Sequence, residues 1–160
     1  MIIKFLIGNL LYSTIEFIID NAFRSTVSEP EIGSILYCDL AVGFAEHSGI
    51  YVGDNKIVHL DSQGNITLTS PSGFIAGTTA LNIYVGCKGP SAKGNDYIAA
   101  KAMRSISTRN RRKYNFIINN CHRFTADCIS VNSISFLWQL KDICKQQLDI
   151  DCWRIWEGAT

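Results

Sequence analysis

The stretch HSGIYVGDNKIVHL, residues 47–60, constrains the fold of this chain more than any other part of the sequence. Its two halves are rich in β-branched and aromatic residues, and residues 53–55 between them have the composition of a tight turn. The sequence therefore predicts a β-hairpin. Two of the chain's three histidines, His47 and His59, stand at the ends of this hairpin.

The pairing register of the hairpin decides whether the two histidines share a face, because side chains alternate between faces along a strand. A three-residue loop over residues 53–55 places Gly49 opposite His59 and sets both histidines on one face. A two-residue loop would turn His59 to the other face. Because Asn55 is one of the few side chains that tolerate a left-handed backbone at the loop end, we predict the three-residue loop.

Hydrophobic periodicity divides the rest of the chain into a strand-rich middle and helical flanks. The predicted strands are ILYCDLAV, NITLT and ALNIYVG, and the predicted helices are DYIAAKAMRSI, CHRFTADCI and SFLWQLKDICKQQL. A length of 160 residues with 47% hydrophobic composition suits one core. Because the strands cluster and do not alternate with helices, we predict an α+β fold with a central antiparallel sheet flanked by helices.

Residues 1–27 are predicted to form an N-terminal amphipathic helix, ahead of a single domain over residues 28–160. This first segment is strongly apolar, but Lys4, Glu16 and Asp20 interrupt it. Such charges disfavour both a membrane-spanning helix and a signal peptide. The two remaining interpretations are a helix packed on the domain and a helix lying on a membrane surface.

Composition excludes several classes of function. Lys and Arg number 15 against 14 Asp and Glu, so no net field favours nucleic acid. The basic cluster RNRRK is interpreted as a solvated loop, with phosphate binding as the alternative. Six cysteines without a C-x-x-C pair predict reduced thiols in the cytoplasm. We expect neither a metal nor a cofactor.

The segment NNCHRFTADC carries a candidate nucleophile. Asn120 is a favourable N-cap for a helix that begins at Cys121, and a thiol there feels the positive end of the helix dipole. Together with a neighbouring imidazolium, that dipole lowers a thiol pKa from about 8.5 and creates a nucleophilic thiolate. The alternatives are a structural cysteine, which is the interpretation for Cys128, and a pair of histidine metal ligands.

The blocks HSGIYVGDNKIVHL and YNFIINNCHRF together resemble the lecithin retinol acyltransferase family and its phospholipase/acyltransferase relatives, the HRAS-like suppressors. That family is similar in turn to the NlpC-type cysteine hydrolases, which have a papain-like site in permuted order. Its motifs are H-x-x-I-Y-V-G-(D/N), V-H-L and N-C-E-H-F. The match covers roughly residues 33–128 and includes both histidines, their spacing, the Asn-Cys pair and Tyr114, seven residues before the cysteine.

The resemblance implies a permuted papain-like arrangement with the nucleophile at a helix N-terminus. Cys121 would be the nucleophile, His47 the base and His59 the polar partner that orients His47. Three further residues of the matching motifs are expected to bind the oxyanion or the substrate: Asn120, Tyr51 and Tyr114. Where the family has Glu-His after the nucleophile, this chain has His122-Arg123.

The implied activity is thiol-dependent acyl hydrolysis or acyl transfer through a thioester, on phospholipid or other fatty acyl esters. The expected partner is therefore an acyl-bearing lipid, with peripheral membrane contact through residues 1–23. Two alternatives stay open at this point. One is a cysteine peptidase or amidase of the NlpC type, and the other is an inactive lipid- or metal-binding module.

Overall fold

The computed structural model describes residues 15, 25–27, 29–41, 45–107, 120–129, 134 and 136–159. The strands in these ranges are β1 (Thr26–Val27), β2 (Ile35–Asp39), β3 (Glu46–Gly53), β4 (Lys56–Leu60), β5 (Ile66–Thr69), β6 (Tyr84–Lys88), β7 (Ser91–Ala92) and β8 (Cys152–Trp156). The helices of more than one residue in the same ranges are α1 (Pro71–Phe74), α2 (Asp96–Ser107), α3 (Cys121–Ile129) and α4 (Leu137–Leu148).

The strands form one mixed sheet in the order β1-β8-β6-β2-β3-β4-β5, with β7 paired to β6. The predicted α+β class is confirmed. The expectation of a purely antiparallel sheet is wrong, because β1 and β8 run parallel with Thr26 opposite Ile155. These two strands come from opposite ends of the chain, so no short turn fixes their relative direction.

The β3–β4 hairpin places His47 and His59 on one face, as predicted, but its turn differs from the predicted one. Asp54 and Asn55 both have positive φ, 49° and 57°, as a two-residue type I′ turn requires. The register then shifts between Tyr51 and Gly53, which is a β-bulge that absorbs one residue of β3. The bulge restores the pairing of Gly49 with His59, so the predicted three-residue loop is wrong and the predicted shared face is confirmed.

Each face of the sheet carries its own hydrophobic core. One face packs Tyr37, Ile50 and Val58 against the helices, including Phe124 of α3. The other face packs Leu36, Cys38, Tyr51 and Ile57 around Phe74 of α1. Alternation along β3 therefore directs Ser48 and Ile50 toward α3, and directs His47 toward Phe74.

The predicted helices α2 and α3 are confirmed, and α4 begins two residues later than predicted. The chain between β5 and β6, predicted as a loop, contains the short helix α1. Ser70 caps α1 by accepting the N–H of Gly73, and Pro71 occupies its first turn, both typical of helix starts. Strand β8 was not predicted from its sequence, CWRIW.

The predicted N-terminal helix over residues 1–27 falls largely outside the described residues. Ile15 is helical and 55% exposed, whereas Thr26 and Val27 at the end of the predicted range form β1. Among the helices of the described ranges, none has the length and apolar character needed to cross a membrane.

We predict that Gly49→Ala destabilises the fold. A Cβ at Gly49 would lie 2.9 Å from Cγ2 of Ile57, 3.0 Å from Cε2 of Phe74 and 3.1 Å from the carbonyl oxygen of Val58. Overpacking of this kind costs about 1–3 kcal/mol, which urea denaturation would measure as a lower midpoint with an unchanged m-value. Ser62→Ala, at an exposed loop position, is the control; equal midpoints for the two variants would contradict the prediction.

Candidate active site

The two hairpin histidines are in direct contact. His47 Nε2 lies 2.7 Å from His59 Nδ1, and the ring centroids are 4.8 Å apart at an interplanar angle of 85°. Both side chains are buried, each with 8% exposure. Because the residue opposite His59 is Gly49, no side chain stands between the two rings.

Two residues that sequence reasoning missed hold the histidine pair in place. Phe74 of α1 stacks on His47 with centroids 4.7 Å apart and meets His59 edge-on at 5.3 Å. Thr67 of β5 stands opposite His59 in the sheet, and its Oγ1 is 3.2 Å from His59 Nε2. The motif SPSGF contains no signal for an aromatic contact with a distant histidine, and Thr67 could be found only from the register of β5.

Burial keeps both imidazoles neutral near pH 7. Removal from water lowers the pKa of His47 well below its ordinary value, and a charge on His59 would lower it further. Burial also lowers the pKa of His59, although the carboxylate of Asp61 acts in the opposite direction. Each ring therefore carries one proton, on one of its two nitrogens.

Helix α3 begins at the predicted nucleophile. Asn120 caps it: its Oδ1 accepts the backbone N–H of Arg123 at 3.0 Å, and its carbonyl oxygen accepts that of Phe124 at 3.1 Å. Asn120 and Cys121 are both buried. The role of Asn120 seen in the structure is thus to start the helix that carries Cys121.

The backbone geometry of β3 shows where the thiol lies. The backbone N–H of Tyr51 donates to the carbonyl oxygen of Ser34, the residue just before β2. The N–H and C=O groups of the odd-numbered residues of β3 therefore point toward β2. Those of Glu46 and Ser48 therefore point toward β4. Sγ of Cys121 lies 3.9 Å from the carbonyl oxygen of Glu46 and can donate to it.

The thiol consequently lies at the edge of β3, where it is buried with 2% exposure. The paired part of β4 reaches only to His59, opposite Gly49, so the peptide that joins Glu46 to His47 lies beyond it. The ring of His47 leans toward β4, because its Nε2 contacts His59 on that strand. Thiol and imidazole thus lie next to the same peptide of β3, the thiol at the edge of the strand and the imidazole on the face that carries Phe74.

The thiol is not activated in the way the sequence predicts. Burial raises the pKa of Cys121 to about 11, and the backbone and side-chain hydrogen-bond donors of Ser48 offset only part of this rise. The expectation of a lowered pKa is wrong, because loss of solvation outweighs the helix N-terminus at a buried sulfur. The resting site therefore holds a neutral thiol beside neutral imidazoles.

Of the two predicted tyrosines, the structure describes Tyr51, whose contacts are with the turn end of the hairpin. The ring of Tyr51 packs edge-on against Trp156 with centroids 5.4 Å apart, and its hydroxyl accepts the N–H of Asn55 at 3.4 Å. Tyr51 thus serves the turn end of the hairpin, and its role in binding oxyanion or substrate stays a prediction. Tyr114 lies outside the described residues.

A pocket of 340 Å³ opens beside the histidine pair, at the lower end of the range for small-molecule sites. Its lining includes both histidines, Phe74, Leu40 and residues 76–78, and does not include Cys121. Of the residues that line it, none is lysine or arginine and one is acidic, Asp61. Its carboxylate already accepts the backbone N–H groups of Gln63 and Asn65.

The histidine pair is poorly arranged for metal binding. His47 Nε2 and His59 Nδ1 face each other at hydrogen-bonding distance, so a shared ion would have to break this contact. Within the described ranges, no group of three or more His, Cys, Asp or Glu side chains is placed to hold a metal ion.

Comparison with known proteins gave no match to a protein-family model, to a curated protein or to a solved structure.

We predict that alkylation of Cys121 by iodoacetamide accelerates continuously from about pH 6 to about pH 9. With the pKa raised to about 11 by burial, the thiolate fraction grows roughly tenfold per pH unit over this range. Peptide mapping by mass spectrometry gives the rate, with Cys152, a half-buried thiol outside the site, as internal reference. A rate that is already constant above about pH 6 would instead indicate a preformed thiolate–imidazolium pair.

Proposed function

We propose that this chain is a thiol-dependent acyl hydrolase or acyltransferase that works through a thioester acyl-enzyme, with a permuted papain-like arrangement of its site. The observation that carries the proposal is the buried contact between His47 Nε2 and His59 Nδ1. His47 directly follows Glu46, whose carbonyl oxygen contacts the Cys121 thiol. The motif resemblance to the lecithin retinol acyltransferase family supports the same assignment of nucleophile and base.

The hydrogen bonds of the histidine pair are compatible with His47 as the base. If His47 carries its proton on Nε2, it donates to Nδ1 of His59, and His59 then donates from Nε2 to Oγ1 of Thr67. Each ring proton of the two histidines then has an acceptor. Nδ1 of His47 is left as the unprotonated nitrogen that can accept the thiol proton.

The reaction begins when Sγ of Cys121 attacks the acyl carbonyl carbon as its proton passes to Nδ1 of His47. The new imidazolium is stabilised by His59, which accepts its Nε2–H. The backbone N–H of Cys121, at the helix N-terminus, is the proposed donor to the oxyanion. The tetrahedral intermediate collapses to a thioester while His47 returns the proton to the departing alcohol or amine.

The second half of the reaction uses the same groups. Water, an alcohol or an amine loses a proton to His47 and attacks the thioester carbonyl, which releases the acyl product and restores the thiol. Water makes the enzyme a hydrolase, and the other acceptors make it an acyltransferase.

We propose fatty acyl esters, phospholipids among them, as substrates, on the basis of the family resemblance. The apolar side chains of Leu40 and Phe74 beside the pocket suit an acyl chain. We further propose a cytoplasmic location with peripheral membrane contact through residues 1–23, whose composition is strongly apolar.

We predict that incubation with a phospholipid panel gives an acyl adduct on the intact protein, seen by mass spectrometry, and that Cys121→Ala lacks it. The matched control is Cys128→Ala, since Cys128 lies in the same helix, seven residues after Cys121, and packs in the core. Acylation that survives Cys121→Ala would refute the assignment of the nucleophile. An adduct formed from peptides and not from lipids would identify an NlpC-type peptidase or amidase.

We predict unequal losses at the two histidines. His47→Ala removes the base and should lower the acylation rate by about a hundredfold or more, whereas His59→Asn keeps a polar partner and should lower it less. Single-turnover rates on the same ester, with circular dichroism as a check on folding, provide the measurement. Equal losses at both positions would mean that the histidines act as one unit, and the orienting role of His59 would be wrong.

A further inference from the structure

A second buried polar network lies on the other side of β3, and the proposed reaction does not use it. His122 Nδ1 is 2.9 Å from Ser48 Oγ, Ser48 Oγ is 3.1 Å from Thr125 Oγ1, and Thr125 donates to the carbonyl oxygen of Cys121 at 3.0 Å. All of these side chains are buried, with 4% exposure for His122 and none for Ser48 and Thr125. The network joins α3 to β3 next to the predicted nucleophile.

The direction of each hydrogen bond follows from the number of protons. A carbonyl oxygen only accepts, so the hydroxyl proton of Thr125 is committed to Cys121. In the resting state, where Cys121 is a neutral thiol, Ser48 donates its only hydroxyl proton to Thr125. His122 then donates from Nδ1 to Ser48. Burial lowers the pKa of His122 to about 4, against the effect of a hydrogen bond to the backbone of Glu46, so near pH 7 this ring is neutral and holds one proton. The hydrogen bond to Ser48 places that proton on Nδ1.

The network ends at the residue whose position matters most for attack. The carbonyl of Cys121 belongs to the first turn of α3, and Ser48 is the neighbour of His47 on β3. One strand thus presents His47 on one face and, through Ser48, holds the nucleophile's helix on the other. A small displacement of α3 along β3 would move Sγ away from the carbonyl oxygen of Glu46, and displacements of about 1 Å are enough to slow reactions strongly.

We propose that His122 is a positioning residue for the nucleophile: its Nδ1–H, relayed through Ser48 and Thr125 to the Cys121 carbonyl, fixes the first turn of α3 against β3. This inference rests on the proposed role of Cys121. It also gives a function to His122, which occupies the position of the glutamate in the N-C-E-H-F motif of the family that the chain resembles.

Three substitutions of His122 separate hydrogen bonding from packing. Asparagine carries its amide nitrogen as many bonds from the backbone as Nδ1 of histidine, so His122→Asn keeps the donor. His122→Gln moves the donor one carbon further out, and His122→Leu removes it while filling the space. A packing role predicts that leucine is tolerated best, whereas a donor role predicts that asparagine is.

The experiment compares kcat and KM of these variants on an acyl ester that the native protein turns over, with Cys128→Ala as the control in the same helix. We expect His122→Leu and His122→Gln to lower kcat about tenfold with little change in KM, and His122→Asn to retain at least about a third of it. A kcat of His122→Leu equal to or higher than that of His122→Asn would overturn the proposal. If His122→Leu fails to fold, the asparagine–glutamine comparison decides the question.

A second measurement does not depend on turnover. The rate of Cys121 alkylation by iodoacetamide should follow the same order, with asparagine closest to the native protein. If the native protein alkylates at Cys121 but never acylates, the proposed function fails while this order still tests the positioning role. If the native protein acylates and the order is absent, the positioning role alone is refuted.

Discussion

The pairing of Gly49 with His59 is the interaction on which the candidate site depends. It places His59 diagonally across from His47 with no side chain between them, so the two rings reach hydrogen-bonding distance. A shift of one residue would turn His59 to the helix face and separate the pair. The β-bulge after Tyr51 prevents this shift, since the type I′ turn alone would produce the wrong register. The bulge near the turn of the hairpin thus determines how the two histidines are placed at its other end.

Loss of water, more than local charge, sets the chemistry of this site. The same burial that lowers the pKa of His47 raises that of Cys121 to about 11, so both groups rest in their neutral forms. In the proposed reaction this neutral pair transfers its proton during attack, and the protonated His47 then needs a partner that is already in place. His59 is that partner, held by Thr67 on one side and by Phe74 on the other. This preorganisation of His59 comes from two separate elements of the fold, β5 and α1.

The parts of the structure that sequence predicts well are those governed by local chemistry. Asn120 followed by Cys121 marks a helix start, and the structure begins α3 at that residue. What sequence could not predict depends on contacts between distant segments. Phe74 reaches His47 only because α1 folds over the hairpin, and β1 pairs with β8 from the other end of the chain. The raised pKa of Cys121 has the same origin, since burial is a property of the packed fold.

The division of β3 between two faces explains how one short strand can serve the whole site. Its odd-numbered side chains face Phe74 and include His47, and its even-numbered side chains face α3 and include Ser48. The proposed nucleophile lies on neither face, because Sγ of Cys121 reaches the strand edge beyond the last paired residue of β4. In the proposed reaction, a helix packed on one face thus presents its first residue to a base that projects from the other, provided that its first turn is held close to the strand. The hydrogen bonds from His122 through Ser48 to Thr125 meet this condition, and they do so with side chains adjacent in sequence to both Cys121 and His47.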